Sequence, residues 1–495
     1  MINKMNKVVF LVVALALTLS AQGKEWLSLT NLEGVEIEAR ILQVKGDRVQ
    51  LMGRNGATYL ISVSVLSPES RKLVLQKTER PGSPPSSAAV TPGQSAQSAF
   101  GFDQMNETLG QSLFKDGLLW DDDPKEVGKR LGWPIESSTE NSVSFRYYAS
   151  PTYSLLGARP YSAALYGSSE KASGLSVVFA NKGDCFASAG TAEAHFKEGA
   201  VTKDPKVLQQ WIERDEESIK ETLEKALGKP RRQNYGQGSS KRKVSRWDWS
   251  GHSFLLSIAE GEFVSLAIEP VEVADSRGKP KKVADMHIRR VHRSNVDNRA
   301  NGDTVIRNIP MVDQGPKGYC VPATFERCMR YMEIPADMYL LAMAGSTGLG
   351  GGTHTPTLVK SVQQEVWAAG RTFDALPGHP GFREIQRSID SGVPILWGMH
   401  STEVFNRIAN NRTTQRKSIN PKDWKKTVED ESESVLNSRR PHISDSRHIC
   451  IIHGYNKETG EIAFTDSWGE RYRERWISAA EAEHFSQGRC WVIQY

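Results

Sequence analysis

The sequence predicts a multidomain α+β protein, and three observations carry that reading. The chain has 495 residues, too many for one compact domain and suited to about three of roughly 150 residues. Near the N-terminus apolar and polar residues alternate with the period of a strand, whereas after Cys320 apolar residues recur with the period of a helix. A Pro/Ser/Ala-rich stretch at 78–99 separates the first pattern from the rest as a flexible linker. The 63 basic and 58 acidic residues leave a net charge of only +5, which argues against a nucleic-acid partner. Five cysteines in so long a chain exclude a disulfide-stapled scaffold.

The first element, 1–23, reads as an export signal. Lys4 and Lys7 precede an apolar run from Val8 to Leu19, and Ala21-Gln22-Gly23 offers small residues for cleavage. The run is shorter than the roughly 20 residues that span a membrane, and no later stretch approaches that length, so no stable membrane span is expected. The expected location is extracytoplasmic, periplasmic or secreted; the alternative is a chain tethered by an uncleaved signal anchor.

Residues 24–77 form the second element. Val35 to Ile41 alternate strictly, Gly46-Asp47 and Asn55-Gly56 signal turns, and Arg48–Met52 and Thr58–Leu66 supply flanking strands. Ser67-Pro68-Glu69 then starts a short helix, with proline at its first position.

Residues 100–275 predict an α+β middle domain of no assigned family. A helix opens at Asp123-Pro124 and ends near Gly132, and a longer one runs from Asp204-Pro205 to Gly228. Phe254–Ile258 and Phe263–Ile268 predict a hairpin. Trp120, Trp133, Trp247 and Trp249 suit core and rim packing better than a ligand platform. Basic clusters at Arg231-Arg232, Lys241-Arg242-Lys243 and Lys279 to Arg293 read as solvated faces, and 276–304 as a basic linker.

The chemistry is expected in 305–495. A Gly/Pro-rich loop leads into a helix whose Phe325, Cys328, Met329 and Met332 form one buried face. Cys320 opens that helix off its core face, where the macrodipole favours a thiolate. A thiolate nucleophile needs a base and an orienting group. His448 on an apolar strand and Asp466 at the end of another supply them, and Gln314, six residues before Cys320, supplies an oxyanion donor. His453 turns to the opposite face of its strand from His448 and reads as structural, whereas Cys450 shares the face of His448 and packs beneath the site. There is no CxxC or HExxH, so neither a metal nor a cofactor is expected.

Two resemblances follow from these motifs. With its strands, turns and closing "LSPES", 24–77 resembles the SH3-like Sla-type homology domain, which implies a small β-barrel with a peptide or cell-surface partner. Residues 305–495 resemble a papain-like cysteine peptidase of the bacteriocin-processing (family thirty-nine) type. Glutamine six residues before the cysteine, histidine opening a strand that ends in Gly454-Tyr455, and "DSWG" at 466–469 stand in the family order.

The resemblance implies a papain-like α+β fold acting on a protein or peptide substrate. Cys320 is then nucleophile, His448 base, Asp466 orienting group and Gln314 oxyanion donor. Trp468 shields the His–Asp contact, and Gly351 and Gly352 lie along the substrate. His354, beside that glycine run, is a weaker substrate contact. No transporter segment accompanies the domain, so a leader-peptide substrate is not carried over. The polar insertion 401–447 reads as either a lid or a disordered excursion. Two alternatives stand beside the endopeptidase: a non-catalytic peptide-binding scaffold, and a peptidoglycan amidase or hydrolase.

Overall fold

The computed structural model describes residues 26–32, 35–45, 48–53, 58–76, 100–115, 117–148, 150, 152–187, 204–279, 284–417, 420–442 and 446–495. The export signal at 1–23 and the linker at 78–99 lie outside the described residues. The chain divides into two compact units, 1–96 and 97–495. No helix among the described residues is long and apolar enough to cross a membrane.

The first unit is an antiparallel meander. Strands β1 (Leu27–Thr30), β2 (Glu36–Lys45), β3 (Arg48–Gly53) and β4 (Thr58–Ser62) pair in chain order. Leu29, Ala39, Val49 and Leu51 point to one buried face, as alternation requires. The expected barrel is not closed among the described residues. The strand expected to reach Leu66 stops at Ser62, turns through Val63–Val65, and returns to β1 through a single bridge, Asn31 to Leu66. Pro68 lies two residues on; it has no N–H to extend a ladder, and it opens the helix Pro68–Gln76 instead.

The second unit holds two eight-stranded sheets. The first contains β5 (Ile135–Ser138), β6 (Val143–Tyr148), β7 (Ser162–Gly167), β8 (Ala172–Asn181), β9 (Arg231–Tyr235), β10 (Arg242–Trp249), β11 (His252–Ala259) and β12 (Phe263–Pro270). Their order, β5-β6-β7-β8-β12-β11-β10-β9, makes two four-stranded meanders joined at β8 and β12. The connection between the meanders carries the helix Pro205–Leu227, capped by Asp204 and ended at Gly228, which buries Leu208, Ile212, Ile219 and Leu223. The four tryptophans are tied down by their indole N–H groups: Trp247 to the Gly228 carbonyl at 2.8 Å, Trp249 to that of Phe100, Trp120 to that of Gly251 and Trp133 to the Tyr153 hydroxyl.

The second sheet is built from β13 (Val296–Asn298), β14 (Asp303–Ile306), β15 (Thr372–Leu376), β16 (Ile395–His400), β17 (Arg447–Asn456), β18 (Glu461–Thr465), β19 (Arg475–Ser478) and β20 (Ser486–Gln494). Its main path is β13-β14-β17-β16-β20-β15, with β18 on β17 and β19 on β18. The helix Cys320–Tyr331 packs on β17, burying Phe325, Cys328 and Met329. Its other face is covered too: Ala323 and Tyr319 share a small core with Val178 and Phe263 of the first sheet. The middle and C-terminal domains therefore meet in one packed unit.

Two expectations are corrected here. The stretch 276–304 is not a linker where it is described. It carries the helix Asp285–Ser294, whose buried His292 stacks on Tyr331 with ring centroids 4.2 Å apart, followed by β13 and β14. The insertion 401–447 is not a disordered excursion where it is described. It folds as the helices Glu403–Gln415 and Pro421–Leu436, because Phe405, Ala409, Trp424 and Val428 supply a buried stripe among many charges.

Candidate active site

Cys320 is the first residue of its helix, preceded by Tyr319 at the cap, and it is half-buried while Cys328 is fully buried. Burial pushes the Cys328, Cys185 and Cys490 thiols up to about 12, so they stay protonated in the core. All five cysteines are free thiols.

His448, near the start of β17, lies beside Cys320, whose thiol helps to raise the imidazole. The His448 Nε2–H donates to Asp466 Oδ1 at 3.0 Å, which leaves Nδ1 for the sulfur. Burial alone would lower the imidazole. The Cys450 sulfur and the hydrogen bonds with Asp466 and Cys320 outweigh it and hold the ring well above the ordinary histidine value. Asp466 follows β18 and is fully buried. Burial would raise its carboxyl, yet His448, Arg475 and Cys450 bring it down to about 2, so it is a permanent anion. The indole of Trp468 stacks on His448 with centroids 4.6 Å apart and covers the contact with Asp466 from the outside.

Gln314 donates its backbone N–H to the Ser467 carbonyl at 2.9 Å, which ties the loop before the nucleophile to the segment after Asp466. Its side-chain Nε2 donates to the Lys317 carbonyl at 3.1 Å, while Oε1 is buried without a partner.

Two sets of residues hold this arrangement, and neither was marked by the sequence. On the nucleophile side, Lys317 Nζ is fully buried 3.0 Å from Asp184 Oδ1, which belongs to the middle domain. Tyr148, Tyr319 and Tyr339 ring the ammonium, and the Tyr339 hydroxyl donates to the other Asp184 oxygen at 2.9 Å. Glu136 accepts from the Asp313 N–H at 2.9 Å, and Ser137 from the Met311 N–H at 2.9 Å. On the base side, Arg475 donates to Asp466 Oδ2 at 2.8 Å and to Asn406 Oδ1 at 3.0 Å, so a helix of the insertion supports the acid at one remove. Arg327 donates to the Asp466 carbonyl at 2.7 Å and to Thr465 Oγ1 at 2.7 Å.

Residues 306–494 match the model of the Peptidase_C39 like family. No curated protein matches the chain. The C39-peptidase-like domain thus contains Cys320, His448, Asp466, Gln314 and the insertion, whereas Asp184, Glu136 and Tyr148 lie outside it.

Of the sequence-derived residues, Cys320, His448 and Asp466 come together, with Trp468 against them. The glycines are engaged within the protein. Gly352 donates its N–H to the Gly318 carbonyl at 3.1 Å and Gly351 donates to Gly348, so both amides are committed within the protein. Gly351 has φ of +133°, and an added Cβ would sit 2.3 Å from the Gly318 Cα. The run is a brace for the nucleophile loop, and glycine is required because two backbones touch. His354 lies apart, exposed and paired with the Thr357 hydroxyl at 2.7 Å. His453 is buried against the Ile306 carbonyl at 3.2 Å, and burial lowers it to about 4. Lys317, inside "GPKGYC", had one available signal: a lone lysine in a tight loop beside a nucleophile. Asp184 had none.

Proposed function

We propose that the protein is an exported cysteine endopeptidase whose C39-like domain cleaves peptide bonds through Cys320, His448 and Asp466. The observation that carries the reading is His448 joined to Cys320 on one side and to Asp466 on the other, inside the region that matches a peptidase family. His448 takes the Cys320 proton, and the sulfur attacks the scissile carbonyl to form a thioacyl intermediate. The imidazolium then protonates the leaving amine, and water releases the acyl group. Asp466 keeps the Nε2–H of the ring pointed away from the sulfur, so that Nδ1 is the basic nitrogen. The second Nε2 hydrogen of Gln314 and the Cys320 backbone N–H, which has no partner within its own helix, are the oxyanion donors. The export part of the reading rests on 1–23, and the first unit acts as a small binding module for a peptide or surface partner.

The test is peptide release from denatured protein substrates, read by mass spectrometry. Cys320→Ala abolishes it, and Asp466→Asn lowers kcat by roughly 10³-fold or more, the scale on which a third triad member acts. Cleavage that persists in Cys320→Ala overturns the assignment. Sequencing the N-terminus of chain recovered outside the cytoplasm checks export, with a start just after Gly23 expected.

A further inference from the structure

Cys450 has no part in that mechanism, yet it lies inside the site. As the second residue after His448 on β17 it shares the same strand face. Its sulfur lies 3.0 Å from Asp466 Oδ1, the oxygen that also accepts from His448 Nε2 at 3.0 Å. The three ligand atoms, one each from histidine, cysteine and aspartate, lie within 4.8 Å of one another. We propose that His448 Nε2, Cys450 Sγ and Asp466 Oδ1 form a capture site for a thiophilic divalent metal ion, zinc by its chemistry, and that the bound ion holds the peptidase off.

The donor set is borderline-soft, mixing thiolate, imidazole and one carboxylate, which suits zinc or cobalt and not magnesium or calcium. With ordinary zinc bond lengths of about 2.0–2.3 Å, the edges of a tetrahedral site run to roughly 3.3–3.7 Å. Two edges, at 3.0 Å, need to open by only a few tenths of an ångström, and the third, between His448 Nε2 and Cys450 Sγ, lies within 4.8 Å. Charge balances as well, since a thiolate and a carboxylate neutralise a dication. Arg475 at 2.8 Å from Asp466 Oδ2 remains as the outer partner that fixes the carboxylate.

Binding forms three metal–ligand bonds and breaks both hydrogen bonds to Asp466 Oδ1. Cys450 releases its thiol proton. The His448 Nε2 proton leaves when the ring starts as imidazolium and moves to Nδ1 when it starts neutral. In either case no basic nitrogen is left to face Cys320. The half-buried Trp468 stacked on His448 is the outer wall that must swing aside to admit the ion. The cluster was not visible in the sequence, because H-x-C on a strand with an aspartate on its neighbour matches no spacing rule for helical or knuckle-type zinc sites.

Metal capture is independent of the peptidase reading; only the inhibitory consequence rests on it. The test uses the full chain and Co²⁺ alone. The Cys320→Ala chain is expected to bind one Co²⁺ with a thiolate-to-cobalt charge-transfer band that Zn²⁺ abolishes by displacement. Adding Cys450→Ala removes the band and weakens Zn²⁺ binding by at least about a hundredfold, the upper end of what an outer partner alone achieves. Cys450→Val, which keeps the strand position filled, gives the same loss if the alanine chain melts early. A band that survives loss of Cys450, or no band in Cys320→Ala, overturns the site. A band in Cys320→Ala, together with no peptide turnover by the metal-free chain that keeps Cys320, supports the site and overturns the peptidase reading.

Discussion

The two sides of the site are each held by a buried ion pair, but the partners come from different parts of the chain. The loop before Cys320 is held from outside the C39-like domain, by a fully buried lysine–aspartate pair in a tyrosine ring. The His448–Asp466 side is held from within, by Arg475 and then Asn406 of the insertion. The reacting groups sit in the family-matched region, whereas on the nucleophile side the main brace comes from a domain without a family match. The middle domain is thus packed in one unit with the candidate site and is not a separate module. Both supports include a buried ion pair, so removing one partner of either strands a charge.

That contrast can be broken in order of expected effect. Asp184→Ala leaves Lys317 charged and buried, and denaturant melts should show a loss of about 3–5 kcal/mol together with peptide turnover. Lys317→Met in the same chain should recover most of the stability. If the double variant is no more stable than Asp184→Ala, the pair is not the brace.

Acid should loosen both regions at once. Burial lowers His252 in the middle sheet, and His292, His379 and His453 around the second sheet, to about 4. In the unfolded chain histidine titrates near about 6.5, so between those values the unfolded state binds more protons. Stability therefore falls as pH drops from about 6.5 to 4. Asp466, with a folded value of about 2 against an unfolded value near 3.9, adds its own loss only as pH falls through that lower window. Calorimetric melts across the range check the first step, and His453→Gln should flatten it; melting temperatures constant between pH 7 and 4.5 would contradict it.

Asn406→Ala removes one hydrogen bond to a charged group and should cost about 1.5–3 kcal/mol, less than Asp184→Ala. Its loss of turnover should appear in kcat with KM unchanged, because it acts through Arg475 on Asp466. Trp468→Ala should lose about 0.5–1.5 kcal/mol of stacking on His448 in addition to the area it buries. It should also speed Co²⁺ entry, which a stopped-flow trace of the charge-transfer band would show.

Much of the fold was legible because local chemistry and final structure agree. Asp204-Pro205 and Gly228 bound a helix in sequence and in structure, and the hairpin of β11 and β12 pairs Leu256 with Leu266 across its expected turn. What was not legible depends on distant partners. Arg412 and Arg416 read as surface charges of a polar insertion, yet Arg412 is buried against Glu481 and Arg416 lies 2.8 Å from Asp303. Arg475 reads the same way in "RYRERW", and only the folded β19 aims it at Asp466. Cys320, His448 and Asp466 were legible because a Cys–His–Asp set of this kind imposes residue types and order. Asp184 was invisible because any buried carboxylate near Lys317 would do, wherever the fold brought one.

The most direct measurement is the rate at which iodoacetamide modifies each cysteine of the native chain near pH 6, followed by mass spectrometry. The account predicts that Cys320 reacts far faster than Cys328, Cys450 or Cys490. It also predicts that His448→Gln markedly slows Cys320, because the neighbouring imidazole is gone. A Cys320 rate that is indifferent to His448, or no higher than that of the buried thiols, would contradict it.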